Sequence, residues 1–280
     1  MLEDLLSVDW DEPPEAMAFE RSLGELIGEL GSALERCLAR PNPEDALRLF
    51  LEAQALPCIL LNYKICVEFG LPLHPTRYID FQREARRPEA VEPRARAEAH
   101  ELFLESLRVA RAMHGLERSA PGRLAELDRR LPGLLSGFVF TNTRDKYTWR
   151  ASNPRFVAAL ARDVRARQGG ADLVVGAAHG SIRPGLHLAE LLGAELYFVR
   201  FSLFKRDDPE PVLSPEDLAY LGRWRDRRVL LFDEDVAKGR TLRAFAESLG
   251  PRFQAARTAA VLRHYLAPFR PDFVGEAFYD

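Results

Sequence analysis

Apolar residues recur along the first stretch of the chain with the spacing of a helix that buries one face. Phe19, Leu23, Leu26, Ile27, Leu30, Leu34 and Leu38 follow the i, i+3, i+4, i+7 rule. Gly24, Gly28 and Gly31 lie inside this helix at a cost of about 1 kcal/mol each against Ala, which predicts a closely packed neighbour. Pro41-Asn42-Pro43 ends it and opens the next, with Asn42 as N-cap and Pro43 at the first helical position. That second helix is expected to run to about Leu56, before Pro57. Cys58 to Phe69 is apolar and ends at Gly70, which suits a helix C-cap. Leu71 to Pro93 reads as loop. Its Arg77, Arg83, Arg86 and Arg87 are interleaved with Asp80, Glu84 and Glu89, so a solvated face is the preferred reading over an anion-binding patch. Helical period returns from Ala95 to Met113 and from Pro121 to Leu131.

After Gly137 short β-rich runs alternate with helices. Phe138 to Phe140 and Lys146 to Trp149 read as extended. Ser152-Asn153-Pro154 caps a helix with Phe156, Val157, Leu160, Ala161 and Val164 on its apolar face. Asp172 to Gly176, Glu195 to Val199, Val229 to Phe232 and Thr258 to Leu262 read as strands. Helices are expected between them, one ending at Leu192 and one over Arg240 to Leu249. Phe201 to Arg227, rich in proline and charge, reads as a long irregular lid. Strand–helix alternation implies a parallel sheet, in which ligands bind beyond the carboxyl ends of the strands. The fold class expected is therefore a parallel-sheet α/β domain over residues 137–280, preceded by a mainly α-helical N-terminal domain over residues 1–136 whose role the sequence does not reveal.

A net charge of −3 argues against non-specific nucleic-acid or anionic-membrane binding, yet leaves room for a local phosphate pocket. Cys37, Cys58 and Cys66 lack zinc-ligand spacing and stand on apolar stretches, so they are expected to be buried and reduced. The N-terminus carries acids where a secretory signal would carry bases, and no apolar run approaches the roughly 20 residues needed to cross a bilayer. A cytoplasmic location is the expectation.

The chemistry concentrates in Val229-Leu-Leu-Phe-Asp-Glu-Asp-Val-Ala-Lys-Gly-Arg-Thr-Leu242. An apolar strand runs into Asp233-Glu234, then a turn through Gly239, and Thr241 opens a helix. Backbone N–H groups at a helix N-terminus favour a phosphate. Carboxylates just before them are acceptors suited to adjacent hydroxyls, so the order describes a cradle for ribose 5-phosphate.

This segment resembles the signature of type I phosphoribosyltransferases: four apolar residues, two acids, three variable positions, a small residue, Gly, one residue, then Thr or Ser. Asp233, Glu234, Gly239 and Thr241 match. Lys238 departs from the small residue usual before the glycine, and Ala237 stands where purine-specific members often carry Asp. The resemblance implies that Asp233 and Glu234 hold the ribose diol, while Asp235, Val236, Ala237, Lys238, Gly239, Arg240 and Thr241 form the 5-phosphate turn.

Upstream, Val174-Val-Gly-Ala-Ala-His-Gly-Ser-Ile-Arg-Pro-Gly185 looks like the pyrophosphate turn of the same family, where a strained peptide turns its amides to the ligand. That assigns Ala178, His179, Gly180, Ser181 and Arg183 to pyrophosphate; His179 also has an ordinary reading as a satisfied loop histidine, and His187 reads as packing. Basic residues follow the next strand in the family, which points to Lys205 and Arg206, with Arg200 behind them. The resemblance covers roughly Lys146 to Val274. It implies transfer of a phosphoribosyl group from 5-phosphoribosyl pyrophosphate to a nitrogen acceptor, with Mg²⁺ held by ligand and water and no direct protein ligand to the metal. Lys146, Trp149 and Arg263 are candidates for contacting the base, whose identity the sequence leaves open. Other family relatives bind without catalysis, so a phosphoribosyl pyrophosphate or nucleotide sensor stands as an alternative. So does an effector whose helical domain engages a protein partner. A homodimer is compatible with each.

Overall fold

A computed structural model describes residues 2–73, 91–203 and 208–279, and the chain divides into two compact units, Met1–Arg144 and Asp145–Asp280.

The first unit is mainly helical: α1 (Leu23–Ala39), α2 (Pro43–Glu52), α3 (Ala55–Phe69), α4 (Pro93–His114) and α5 (Ala120–Arg130), with a two-stranded antiparallel ribbon of β1 (Phe19–Ser22) and β2 (Val139–Asn142). Phe19 falls on β1 because a capping box starts α1 later. Ser22 Oγ accepts from the Glu25 N–H, and the Glu25 carboxylate accepts from the Ser22 N–H. Asn42 caps α2 as expected, its Oδ1 accepting from the Asp45 N–H at 2.9 Å. The break after α2 comes at Ala53 and Gln54 rather than before Pro57. Pro57 lies in the first turn of α3, where a missing N–H removes no helical bond. Gly70 ends α3 in the left-handed conformation.

By length and composition, Pro43–Phe69 is apolar enough to cross a membrane, against the sequence expectation. Of its most apolar window, 89% is buried inside the protein. Leu26, Leu30 and Leu34 of α1 join Leu60, Leu61, Phe103 and Leu107 among its fully or nearly buried side chains. The three cysteines are buried and unbridged. Arg77, Arg83, Arg86 and Arg87 lie outside the described residues.

The second unit is built on a five-stranded, all-parallel sheet in the order β4-β3-β5-β6-β7, with β3 Leu173–Ala178, β4 Glu195–Arg200, β5 Arg228–Val236, β6 Ala255–His264 and β7 Phe273–Phe278. α6 (Lys146–Ala151) and α10 (Arg240–Leu249) pack on β5. α7 (Pro154–Gln168) packs on β6 and β7, and α8 (Ile182–Leu192) on β3 and β4. Lys146 to Trp149, expected to be extended, is the start of α6, because the Asp145 carboxylate accepts from the Thr148 N–H at 2.9 Å and caps a helix.

The stretch expected to be irregular holds regular structure among its described residues. Val212 bridges to Arg200, and Ser214 forms a capping box with Asp217 at the start of α9 (Pro215–Gly222). The Tyr197 hydroxyl donates to Asp217. Strand β7 was not anticipated. Asp272 fixes its start by accepting from both the N–H and the hydroxyl of Thr258 on β6.

Candidate functional site

Strand order decides where a ligand can sit. From β3 the chain crosses through α8 to β4 on one side, then returns past β3 to β5 on the other. Connections leaving neighbouring strands in opposite directions open a crevice at their carboxyl ends. Those ends are Ala178 on β3 and the acidic run Asp233-Glu234-Asp235 on β5.

The two turns touch. A methyl group placed on Gly180 would overlap the Glu234 carboxylate, so this residue must lack a side chain for Glu234 to lie across the β3 turn. The Ala178–His179 peptide bond, within the residues assigned to pyrophosphate, is cis. His179 and Gly180 are part-exposed, whereas Ala178 is buried. Ser181 is fully buried and its hydroxyl donates to the Ala177 carbonyl at 2.6 Å, so its side chain ties the turn to β3 rather than facing a ligand. Arg183, in the first turn of α8, is buried at 0% exposure.

On β5, Asp233 is 7% exposed and Glu234 part-exposed. Asp233 Oδ1 accepts from the Glu234 N–H at 3.1 Å. Burial, followed by the charge of Glu234, pushes the Asp233 carboxyl well above the usual carboxylate range. Asp235 was assigned to the phosphate turn. It is instead paired with His264 at the end of β6, Oδ1 to Nε2 at 3.3 Å. Beyond Val236 the turn opens outward: Ala237, Lys238 and Arg240 are exposed and Thr241 is part-exposed.

Gly239 stands at the N-cap of α10 with φ +70°, and a side chain there would overlap Phe269 Cβ. No side chain caps this helix, and its first amides have no acceptor within it. The arrangement offers donors to an anion at the helix start and the part-exposed Glu234 carboxylate to hydroxyl groups one turn earlier.

Among the base-contact candidates, Lys146 is exposed at the start of α6. Trp149 is 0% exposed and buried on α6. Arg263 on β6 donates to the Tyr265 carbonyl at 3.3 Å. Arg200 is buried and ion-paired with Asp208 at 3.1 Å. Lys205 and Arg206 lie outside the described residues. Sequence reasoning missed His264. Its signal was parity: in register with the buried Ala260 and Leu262, it falls on the face of β6 that meets Asp233 and Asp235.

A scan against protein-family models finds no match, and no curated protein matches the chain. Solved structures do show similarity. A purine phosphoribosyltransferase from Pyrococcus horikoshii OT3 is 23% identical with a TM-score of 0.37, over 45% of this chain and 83% of that one. A Helicobacter pylori xanthine-guanine-hypoxanthine phosphoribosyltransferase is 19% identical with a TM-score of 0.33, over 44% of this chain and 78% of that one. A hypothetical protein from Neisseria gonorrhoeae with bound ppGpp is 20% identical with a TM-score of 0.36, over 47% of this chain and 80% of that one.

Proposed function

We propose that the second unit binds 5-phosphoribosyl pyrophosphate and transfers its phosphoribosyl group to a nitrogen acceptor, releasing pyrophosphate. The observation that carries this reading is the meeting of Gly180 and Glu234. It brings the turn after β3 and the acidic end of β5 into one crevice, with the uncapped start of α10 one turn further along the chain.

In this reading the amides of Gly239, Arg240 and Thr241 grip the 5-phosphate, aided by the charges of Lys238 and Arg240. Glu234 and Asp233 accept from the ribose hydroxyls. The backbone of Ala178, His179 and Gly180 lines the pyrophosphate side, and the sequence assigns Lys205 and Arg206 to the leaving group. The chain's own work is to fix the sugar while charge separates between C1 and the departing pyrophosphate. Burial and then the charge of Glu234 drive up the proton affinity of Asp233, and the acidic pair is a setting whose charge a divalent cation or a pair of hydroxyls would relieve. Residues of this kind fit Mg²⁺ carried in by the phosphates. Asp233 and Glu234 would hold it, and it would supply charge neutralisation for the phosphates.

The test is incubation with 5-phosphoribosyl pyrophosphate, Mg²⁺ and a panel of purine and pyrimidine bases, with pyrophosphate release as the readout. Turnover that is lost in the double variant Asp233→Asn, Glu234→Gln is the expected result. Tight binding without release on any base would assign the site to sensing; no binding at millimolar donor would dismiss both.

A further inference from the structure

We infer that Asp208 is a tethered stand-in for a phosphate group: its carboxylate fills an anion subsite on Arg200 that the pyrophosphate end of the donor takes over by displacing it. The inference deepens the transferase reading and rests on it.

The subsite lies beside the turn assigned to pyrophosphate. Arg200 ends β4, and the parallel register sets it opposite Ala178, the last residue of β3. The Phe201 N–H donates to the Ala178 carbonyl at 3.4 Å, so the chain leaving β4 stays next to the β3 turn. Arg200 thus stands at the carboxyl end of the sheet, where folds of this kind take their ligands.

What occupies that place already has the form of a bound anion. Asp208 Oδ1 accepts from Arg200 Nη2 at 3.1 Å, and Oδ2 accepts from the Ser202 N–H at 3.0 Å. A guanidinium and a main-chain amide shared between the oxygens of one anion is also how phosphates are held. The Asp208 N–H donates to the Ser202 carbonyl at 3.1 Å, which tethers the carboxylate to the place it fills.

The fit is incomplete. The side chains of Arg200 and Asp208 are 1% and 2% exposed, so bulk water does not complete their bonding. Nε and Nη1 of Arg200 are nevertheless buried without a hydrogen-bond partner. A carboxylate has two oxygens, and one of these is spent on Ser202. A diphosphate brings more acceptor oxygens and more charge, enough to reach the two idle donors. Buried donors without acceptors cost stability, so exchange of carboxylate for phosphate recovers bonding that the empty protein lacks.

Because the pair is enclosed, the incoming anion reaches Arg200 only as Asp208 leaves. The Val212 N–H donates to the Arg200 carbonyl at 3.0 Å and keeps the strand end in place during the exchange. The exchange also runs backwards: a tethered carboxylate has a high effective concentration, so Asp208 reclaims Arg200 and favours departure of pyrophosphate after transfer.

The experiment uses the full chain with inorganic pyrophosphate and Mg²⁺ as the probe, read by calorimetry and by thermal melting. Asp208→Asn keeps the shape and the bond from Ser202 but removes the competing charge. It is expected to bind pyrophosphate at least about tenfold more tightly than the parent. The variant should melt lower without ligand, because it leaves a buried guanidinium uncompensated, and pyrophosphate should raise its melting temperature by at least about 3 °C more than it raises that of the parent. Arg200→Lys keeps the charge and loses the fork of donors, and it should bind pyrophosphate at least about tenfold more weakly. Ribose 5-phosphate serves as control, with affinity within about twofold of the parent in both variants. Unchanged or weaker pyrophosphate binding in Asp208→Asn makes the residue a structural partner only and refutes the inference, while turnover by the parent leaves the transferase reading standing. Equal tightening of ribose 5-phosphate refutes it too, as a general effect of charge. If Asp208→Asn does not fold, Arg200→Lys decides, and pyrophosphate affinity within about twofold of the parent overturns the subsite. If the parent binds neither pyrophosphate nor 5-phosphoribosyl pyrophosphate at millimolar concentration, the transferase reading fails first and this inference with it.

Discussion

Glu234 lies across the backbone of Gly180, close enough that a single methyl group on Gly180 would overlap its carboxylate. The overlapping atoms are at the far end of a flexible side chain, so the fold can absorb the change by a shift of the Glu234 carboxylate. Gly180→Ala is therefore expected to cost less than about 1 kcal/mol of stability. It should nonetheless weaken binding of 5-phosphoribosyl pyrophosphate by at least about tenfold, because the displaced carboxylate no longer meets the sugar. Thermal unfolding and titration calorimetry on the same preparation separate the two effects. A variant that binds as well as the parent would show that Glu234 has no part in the site.

Gly239 poses the opposite case. Its φ of +70° is a conformation that L residues adopt reluctantly, and a side chain there would overlap Phe269 Cβ, with Cγ at 3.0 Å. Gly239→Ala is expected to destabilise the chain by about 1–3 kcal/mol and to abolish phosphate binding at the start of α10. Phe269→Ala in the same chain should fail to restore stability, since Cβ remains after the ring is removed. Recovery in the double variant, measured by denaturant midpoint, would mean that the ring and not the backbone conformation sets the requirement.

Where local chemistry decided the structure, the sequence could be read. Asn42 and Pro43, Gly70, Asn153 with Pro154, and the strands beginning near Asp172, Glu195 and Val229 all fell close to expectation. The acidic run before Gly239 announced the turn by its residue types alone. The differences have two causes: a local cap that outweighed β propensity, and partners distant in sequence. Asp145, not the β-prone Tyr147-Thr148-Trp149 run, determined that α6 is helical, and the same packing took Trp149 into the core. β7 carries Gly275 within it, which weakens its sequence signal, and its pairing to β6 is secured by Asp272 on Thr258. Ser181 and Arg183 had the right composition for an anion site, yet burial depends on what α8 covers. Asp235 was legible as an acid but not as the partner of His264, because cross-strand register is not a local property.

Asp233 should make stability fall as pH rises. Its carboxyl is pushed above the usual range, mainly by burial and then by the charge of Glu234. A group whose folded value is raised contributes fully below its unfolded value, and that contribution is lost as pH climbs through the folded value. Asp233→Asn keeps the shape of the neutral acid and removes the ionisation. The melting temperature of the variant relative to the parent is therefore expected to increase steadily from pH 4 to pH 8. Saturating the parent with Mg²⁺ and 5-phosphoribosyl pyrophosphate should narrow the gap at pH 8, since ligand binding adds stability only to the chain that binds it well. A pH-independent difference would indicate that Asp233 ionises as an ordinary exposed carboxylate.

Asp172 gives the reverse dependence at the other end of the sheet. Its carboxylate accepts from the Arg228 backbone N–H at 2.9 Å, from Nε at 3.2 Å and from Nη2 at 2.8 Å, joining the entries to β3 and β5. The hydrogen bonds from Arg228 hold this carboxyl down at about 2. Because the folded value is depressed, the stabilisation is present above the unfolded value of about 4 and disappears as pH falls from about 4 to about 2. The Arg228 side chain is 42% exposed and that of Asp172 is 28% exposed, so solvent screens the pair and its contribution is about 1 kcal/mol rather than the larger figure of a buried pair. In a domain of this size that corresponds to roughly 3–5 °C in melting temperature at pH 7 for Asp172→Asn. The difference should shrink toward zero by pH 2, while added salt at pH 7 should reduce it only in part, because the backbone hydrogen bond to Arg228 is not an ion pair between exposed side chains. Equal melting of the two proteins at pH 7 would place the cohesion of these strands in their apolar contacts alone.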